Sequence, residues 1–187
     1  MHYSIELMEK EHANINRMLK VMQQYSIRIM HGEEINQEDF KGIIDFVRNY
    51  ADKHHHGKEE KSLFPLMVER LGKLADNLIT HGMLVEHELG RSHVRALEEA
   101  LKVYKETPTD EIRLDIITET MGYAHLLSLH TEKENNVVYP FAERMLSEED
   151  FAKVDTYCRQ FEEEENAKGV QKKYLSFLEE MEQKYVQ

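Results

Sequence analysis

HHGKEEKSLFP (residues 55–65) and HTEKENNVVYP (residues 130–140) align without a gap. His55 falls on His130, Lys58–Glu59 on Lys133–Glu134, and Pro65 on Pro140. Both copies contain His-x-x-x-Glu, a spacing that on a helix places the imidazole and the carboxylate on one face, a turn apart. Imidazole and carboxylate together suit iron, manganese or zinc better than calcium, which prefers all-oxygen shells. An internal repeat that carries its own chemistry sets the frame for the rest of the chain.

Helical spacing extends outward from both copies, and no alternating strand pattern persists. A first helix over residues 4–30 aligns Ile5, Met8, His12, Ile15, Leu19, Met22 and Ser26 on one face. Asn36 with Asp39 reads as a capping box opening a second helix. That helix carries Phe40, Ile44, Val47 and Ala51 into the histidine run and ends near Gly72. A third, over 76–106, lines up Met83, Leu84, His87, Gly90, Val94, Leu97 and Leu101. Thr109 caps a fourth, which aligns Ile112, Ile116, Tyr123, Leu126, Leu127, His130, Glu134 and Val137. The spacing predicts an all-α fold: an up-down-up-down antiparallel four-helix bundle over 1–146, with one or two additional C-terminal helices over 147–187. Phe151, Val154, Phe161, Tyr174, Phe177 and Met181 give that extension an apolar face, to pack on the bundle or on a partner subunit in a homodimer.

The height of each histidine along such a bundle follows from the turns. His12 and His55 lie about equally far before and after a turn near residue 33, and so do His87 and His130 around one near 108. At about 1.5 Å rise per residue, antiparallel helices bring all four to one layer. The candidate metal ligands are therefore His12, His55, Glu59, His87, His130 and Glu134. Six such donors, two of them carboxylates able to bridge, suit two metal ions better than one. In the run His54–His55–His56, the upstream apolar face points between His54 and His55 and turns His56 away. The repeat selects His55, and Glu59 over Glu60, with His54 the alternative. His81, His93 and His125 point off the apolar faces and are expected in solvent. Tyr123 is expected in the core, or hydrogen-bonded to a ligand. Gly90, one turn from His87, either eases packing or leaves room for a diatomic ligand.

Composition narrows the class. The chain of 187 residues fits one domain, and no stretch approaches the roughly 18 apolar residues of a membrane helix. The opening MHYSIELMEKEH lacks a basic head and apolar run, so a signal peptide is not expected. A single cysteine, Cys158, excludes a disulfide framework and fits a reducing cytoplasm. A formal net charge of −12 disfavours nucleic acid as a partner.

His12 in EKEHANI, the stretch HHGKEEKSLFP, His87 in EHELGR and the stretch HTEKENNVVYP resemble, in order and spacing over residues 4–145, the hemerythrin-like or HHE cation-binding family. The resemblance implies two non-haem iron ions in an oxo- or hydroxo-bridged di-iron centre. His12, His55, His87 and His130 would be terminal ligands, and Glu59 and Glu134 the bridges. It also implies a small ligand, O2, NO or peroxide. Two positions depart from the oxygen-carrying members. Their second histidine on the third helix is replaced by Arg91, and their bridging aspartate five residues after its histidine by Glu134 at four. The pattern is thus expected to be more symmetric and poorer in nitrogen donors. It is closer to bacterial hemerythrin-like proteins linked to nitric-oxide and oxidative stress, among them the iron–sulfur cluster repair group, whose cysteine-bearing N-terminal domain has no counterpart here. Three functions follow: binding or sensing of O2 or NO, a di-iron oxidase, peroxidase or nitric-oxide reductase, and iron storage or donation. A ferritin-like site would need two Glu-x-x-His pairs, and Glu9–His12 has no partner at the matching level.

Overall fold

The computed structural model describes residues 2–186. Among these, six helices and no strand are present. Helix α1 is Tyr3–Met30, and α2 spans 37–71, opened by Asn36 accepting from the amides of Glu38 and Asp39. The reciprocal half of the expected capping box is absent, because the Asn36 amide donates to Tyr25 Oη (2.7 Å) and Asp39 pairs with Lys184 and Tyr185. Helix α3 spans 73–106 and starts directly after α2, a junction that needs the left-handed φ of 63° at Gly72. Helix α4 spans 110–145 behind its Thr109 cap, α5 is Glu148–Ala167 behind a complete Ser147–Asp150 capping box, and α6 is Val170–Tyr185.

Cross-helix pairs run in opposite sequence order throughout: Asn14 with Tyr50 and Glu11 with His55, Arg48 with Glu98 and Glu60 with His87, His93 with Glu119 and Glu86 with Lys133. The first four helices thus form the antiparallel bundle. Helices α5 and α6 pack on α1 and α2, where the Ser4 amide donates to Asp155 (2.8 Å), Arg70 to Asp150 (3.0 Å) and Arg17 to Glu182 (2.9 and 2.6 Å). Two apolar cores fill the bundle. One, towards the α1–α2 and α3–α4 turns, gathers Met18, Met22, Phe40, Phe46, Leu97 and Ile116 with Leu178 of α6; the other gathers Met8, Leu63, Met67, Met83 and Tyr139 with Phe151 of α5. Between them lies one buried polar layer of histidines and carboxylates.

Three of the long helices change pitch in or near that layer. Val47–His56 and Glu59–Leu63 in α2, Ile79–Met83 in α3 and Glu134–Val138 in α4 are π-helical. Bonding from i to i+5 puts more residues in each turn and reduces the rotation between successive side chains. In α2 this turns all three of His54, His55 and His56 inward, overturning the expectation that His56 faces away. In α4 it leaves Val137 exposed and buries Val138 and Tyr139 in its place.

Candidate metal centre

Two groups of donor atoms stand side by side in the polar layer. His12, His55, Glu59 and Glu134 offer atoms all within 4.8 Å of one another, and so do His56, His87 and His130. All seven residues are buried. Glu134 reaches both groups, with Oε2 3.1 Å from His12 Nε2 and Oε1 3.2 Å from His130 Nε2. Glu59 does likewise, its Oε2 lying 3.8 Å from His55 Nε2 and 3.6 Å from His87 Nε2. Two groups of imidazoles spanned by two carboxylates have the outline of a bridged pair of ions.

The outer contacts of the histidines fix which nitrogen faces inward. Each Nδ1 meets an oxygen acceptor: His12 with Asn135 (2.6 Å), His55 with Glu11 (2.8 Å), His56 with Asp52 (3.3 Å), His87 with Glu60 (2.7 Å) and His130 with Glu86 (2.9 Å). Each Nδ1 is thus tied outward and leaves Nε2 as the inner ring nitrogen, with His87 Nε2 and His130 Nε2 3.1 Å apart, the arrangement by which outer carboxylates orient metal-binding imidazoles. His55 Nε2, His56 Nε2, Glu59 Oε2 and both Glu134 oxygens make no hydrogen bond. Leaving so many buried acceptors unpaired is costly unless a cation satisfies them. The donor set thus fits a pair of divalent ions, and its mixture of imidazole and carboxylate fits iron.

Charge in the layer points the same way. Burial and the neighbouring Glu134 push the Glu59 carboxyl well up, and Tyr139 Oη donates to it (2.6 Å). Burial works against Glu134 as well, but His130 and His12 outweigh it and hold that carboxyl well down. Burial lowers His55 to about 4, with help from His12. His130 resists burial and is lifted to about 9 by Glu134 and Glu86.

An internal two-fold relates the halves. Glu11–His12 on α1 matches Glu86–His87 on α3, and His55, Lys58, Glu59, Glu60 and Phe64 on α2 match His130, Lys133, Glu134, Asn135 and Tyr139 on α4. Matching residues make matching contacts. Glu11 receives His55 and Lys58, as Glu86 receives His130 and Lys133. Phe64 stacks on His87 with centroids 6.0 Å apart, and Tyr139 on His12 at 5.5 Å.

The six ligands expected from sequence all meet in this layer. The fifth imidazole, His56, was missed, and it lies stacked on His87 at 3.8 Å. The layer therefore holds one more imidazole than expected, brought from α2 rather than from the α3 place taken by Arg91. Also unforeseen were Tyr139 and the outer acceptors, although Glu11 and Glu86 directly precede the two single histidines and Glu60, Asn135 and Tyr139 sit inside the repeat. His54 belongs to neither group. Its Nε2 lies 3.2 Å from Glu11 and 3.0 Å from Glu162, in a third cluster whose carboxylates already hold the buried Lys58 ammonium. His81 and His125 are exposed as expected, whereas His93 is half-buried against Glu119 (2.7 Å).

An all-α bundle with a buried layer of inward-facing imidazole and carboxylate defines a cation-binding helical protein. The model of the hemerythrin HHE cation binding domain matches residues 3–142, and the chain belongs to that family. Comparison with curated proteins and with solved structures finds no match. No helix among the described residues is long and apolar enough to cross a membrane.

Proposed function

We propose that this chain holds two non-haem iron ions and uses them to bind or sense O2 or NO in a cytoplasmic stress response. His12 and His55 serve one ion, His56, His87 and His130 the other, and Glu59 and Glu134 bridge them. The observation that carries this reading is the set of five buried imidazoles, each anchored through Nδ1, that share one layer with Glu59 and Glu134. A ferrous pair supplies electrons and open coordination positions to a diatomic ligand. The protein's part is to hold the imidazoles in one tautomer, to fix Glu59 through the Tyr139 hydroxyl, and to keep water out with the apolar cores above and below.

With three imidazoles on one side and two on the other, an ion held by His12 and His55 would have fewer protein donors and so a coordination position free for a ligand, which favours binding or sensing over storage. Anaerobic purification with metal analysis, followed by stopped-flow mixing with O2, NO or peroxide, tests the reading. Two irons per chain and a reversible adduct are expected. Repeated turnover would instead indicate an enzyme, and rapid iron release would indicate iron handling. One iron or none after reconstitution, or zinc in its place, sinks the proposal.

A further inference from the structure

The internal two-fold is broken at one position next to the centre. Ile15, three residues after His12, fills its side of the core with a side chain that is 1% exposed. Its counterpart three residues after His87 is Gly90, and there a cavity of about 340 Å³ opens between α2, α3 and α4. His56, His87, Val47, Val94 and Gly90 line it, together with the charged Arg48, Asp52, Arg91 and Arg95. Cavities of roughly 150 Å³ suffice for benzene, so this space exceeds what any diatomic molecule needs.

One polar group in the wall has no partner. Tyr123 is 3% exposed and lines the cavity, and among the described residues its hydroxyl makes no hydrogen bond. The ring is buried but the hydroxyl itself remains accessible from the cavity, where it is free to donate to a ligand. The charged groups at the rim are spent on one another: Arg48 donates to Glu98 (2.9 and 3.0 Å), Arg95 to Glu88 (2.8 Å), and Arg91 to Asp52 and Glu60 (2.7 Å each). Their paired charges offer no preference for an ionic ligand. Apolar walls, a neutral rim and one unpaired hydroxyl describe a small-molecule pocket. We propose that this cavity binds an uncharged organic molecule of about single-ring size that carries an oxygen acceptor for Tyr123 Oη, beside His56 and His87. The site requires only the cavity and stands whether or not the metal centre is a di-iron one; with iron present, the bound molecule lies against its ligands.

Acetophenone and ethylbenzene serve as probes of matched shape, of which only the first has the acceptor. Titration of the full-length protein is followed by saturation-transfer NMR and by amide shifts, with metal content measured on the same sample. Acetophenone is expected to bind about fivefold to tenfold more tightly than ethylbenzene, the worth of one net hydrogen bond. Tyr123→Phe should remove that difference while retaining ethylbenzene. Val94→Phe, which fills the space, should abolish both. No saturable binding of either probe to the unmodified protein overturns the proposal, as does equal binding of the two probes. Shifts confined to residues away from Gly90 and Tyr123 also overturn it. Metal analysis separately reports any failure of the di-iron reading, so the two results are independent.

Discussion

His56 illustrates how one side chain alters the inventory of a site. Stacked on His87 and tied through Nδ1 to Asp52, it presents a buried Nε2 with no other partner. His56→Ala is expected to lower iron from two to about one per chain, and His54→Ala to leave both in place, because His54 lies outside the donor layer. Colorimetric iron analysis of the reconstituted variants, with circular dichroism confirming helicity, decides the matter; two irons in His56→Ala would remove His56 from the ligand set. Tyr139 acts one step further out. Its hydroxyl is the donor to Glu59 where the other half of the repeat has Phe64. Tyr139→Phe should retain both irons and shift the absorption spectrum. It should also speed iron loss to a chelator, in keeping with the roughly tenfold or greater weakening typical when an outer partner is lost. Unchanged spectrum and release rate would assign Tyr139 to packing alone.

At the level of helices, what could be read from sequence and what could not divide along the π-helical segments. Caps at Asn36 and Thr109 and the apolar faces of α1 and of the first turns of α2 obey ordinary helical spacing, and each was legible. His56, Val138 and Tyr139 were not, because a period of 3.6 residues mis-assigns faces once bonding shifts to i+5. The polar layer was legible as a meeting of six donors, since the repeat and the turn positions need only a rise per residue. Its outer acceptors depend on side-chain reach across helices, which spacing does not encode. Arg91 is the clearest case. It grips Asp52 and Glu60, the acceptors of His56 and His87, and so ties α2 to α3. Burial opposes ionisation of both carboxyls, but His56 and Arg91 hold Asp52 at about 2, and His87 and Arg91 hold Glu60 at about 2. Their ordinary values are 3.8 and 4.5, so the stabilisation is full above those values and fades as pH falls from there toward 2. Arg91→Met removes part of it. Urea unfolding of the metal-free proteins should show the largest gap between wild type and variant near neutral pH, narrowing below about pH 4. A gap that widens on acidification would contradict this account.

For the whole molecule, the consequence of a two-fold core with a one-sided cover is concentrated in two matching lysines. Lys58 and Lys133 occupy the same place in the repeat, and each binds the glutamate that orients a histidine, Glu11 or Glu86. Helix α5 lies over only the first. It brings Glu162 to the Lys58 ammonium and Phe161 within 5.4 Å of it, so that Lys58 is 0% exposed while Lys133 is 41% exposed. Identical chemistry should then carry unequal weight. Lys58→Met leaves two carboxylates facing each other in a buried site, and breaking a buried pair typically costs about 3–5 kcal/mol. Lys133→Met releases Glu86 to water, where an exposed pair is worth about 0–1 kcal/mol. Denaturant unfolding of both full-length variants is expected to show this inequality, and Glu162→Gln should fall between them because Lys58 keeps Glu11. Because Glu11 also orients His55, Lys58→Met should weaken iron retention more than Lys133→Met does. Equal destabilisation by the two lysine substitutions would mean that the C-terminal helices merely rest on the bundle; the expected inequality would make α5 a support for the half of the centre built on His12 and His55.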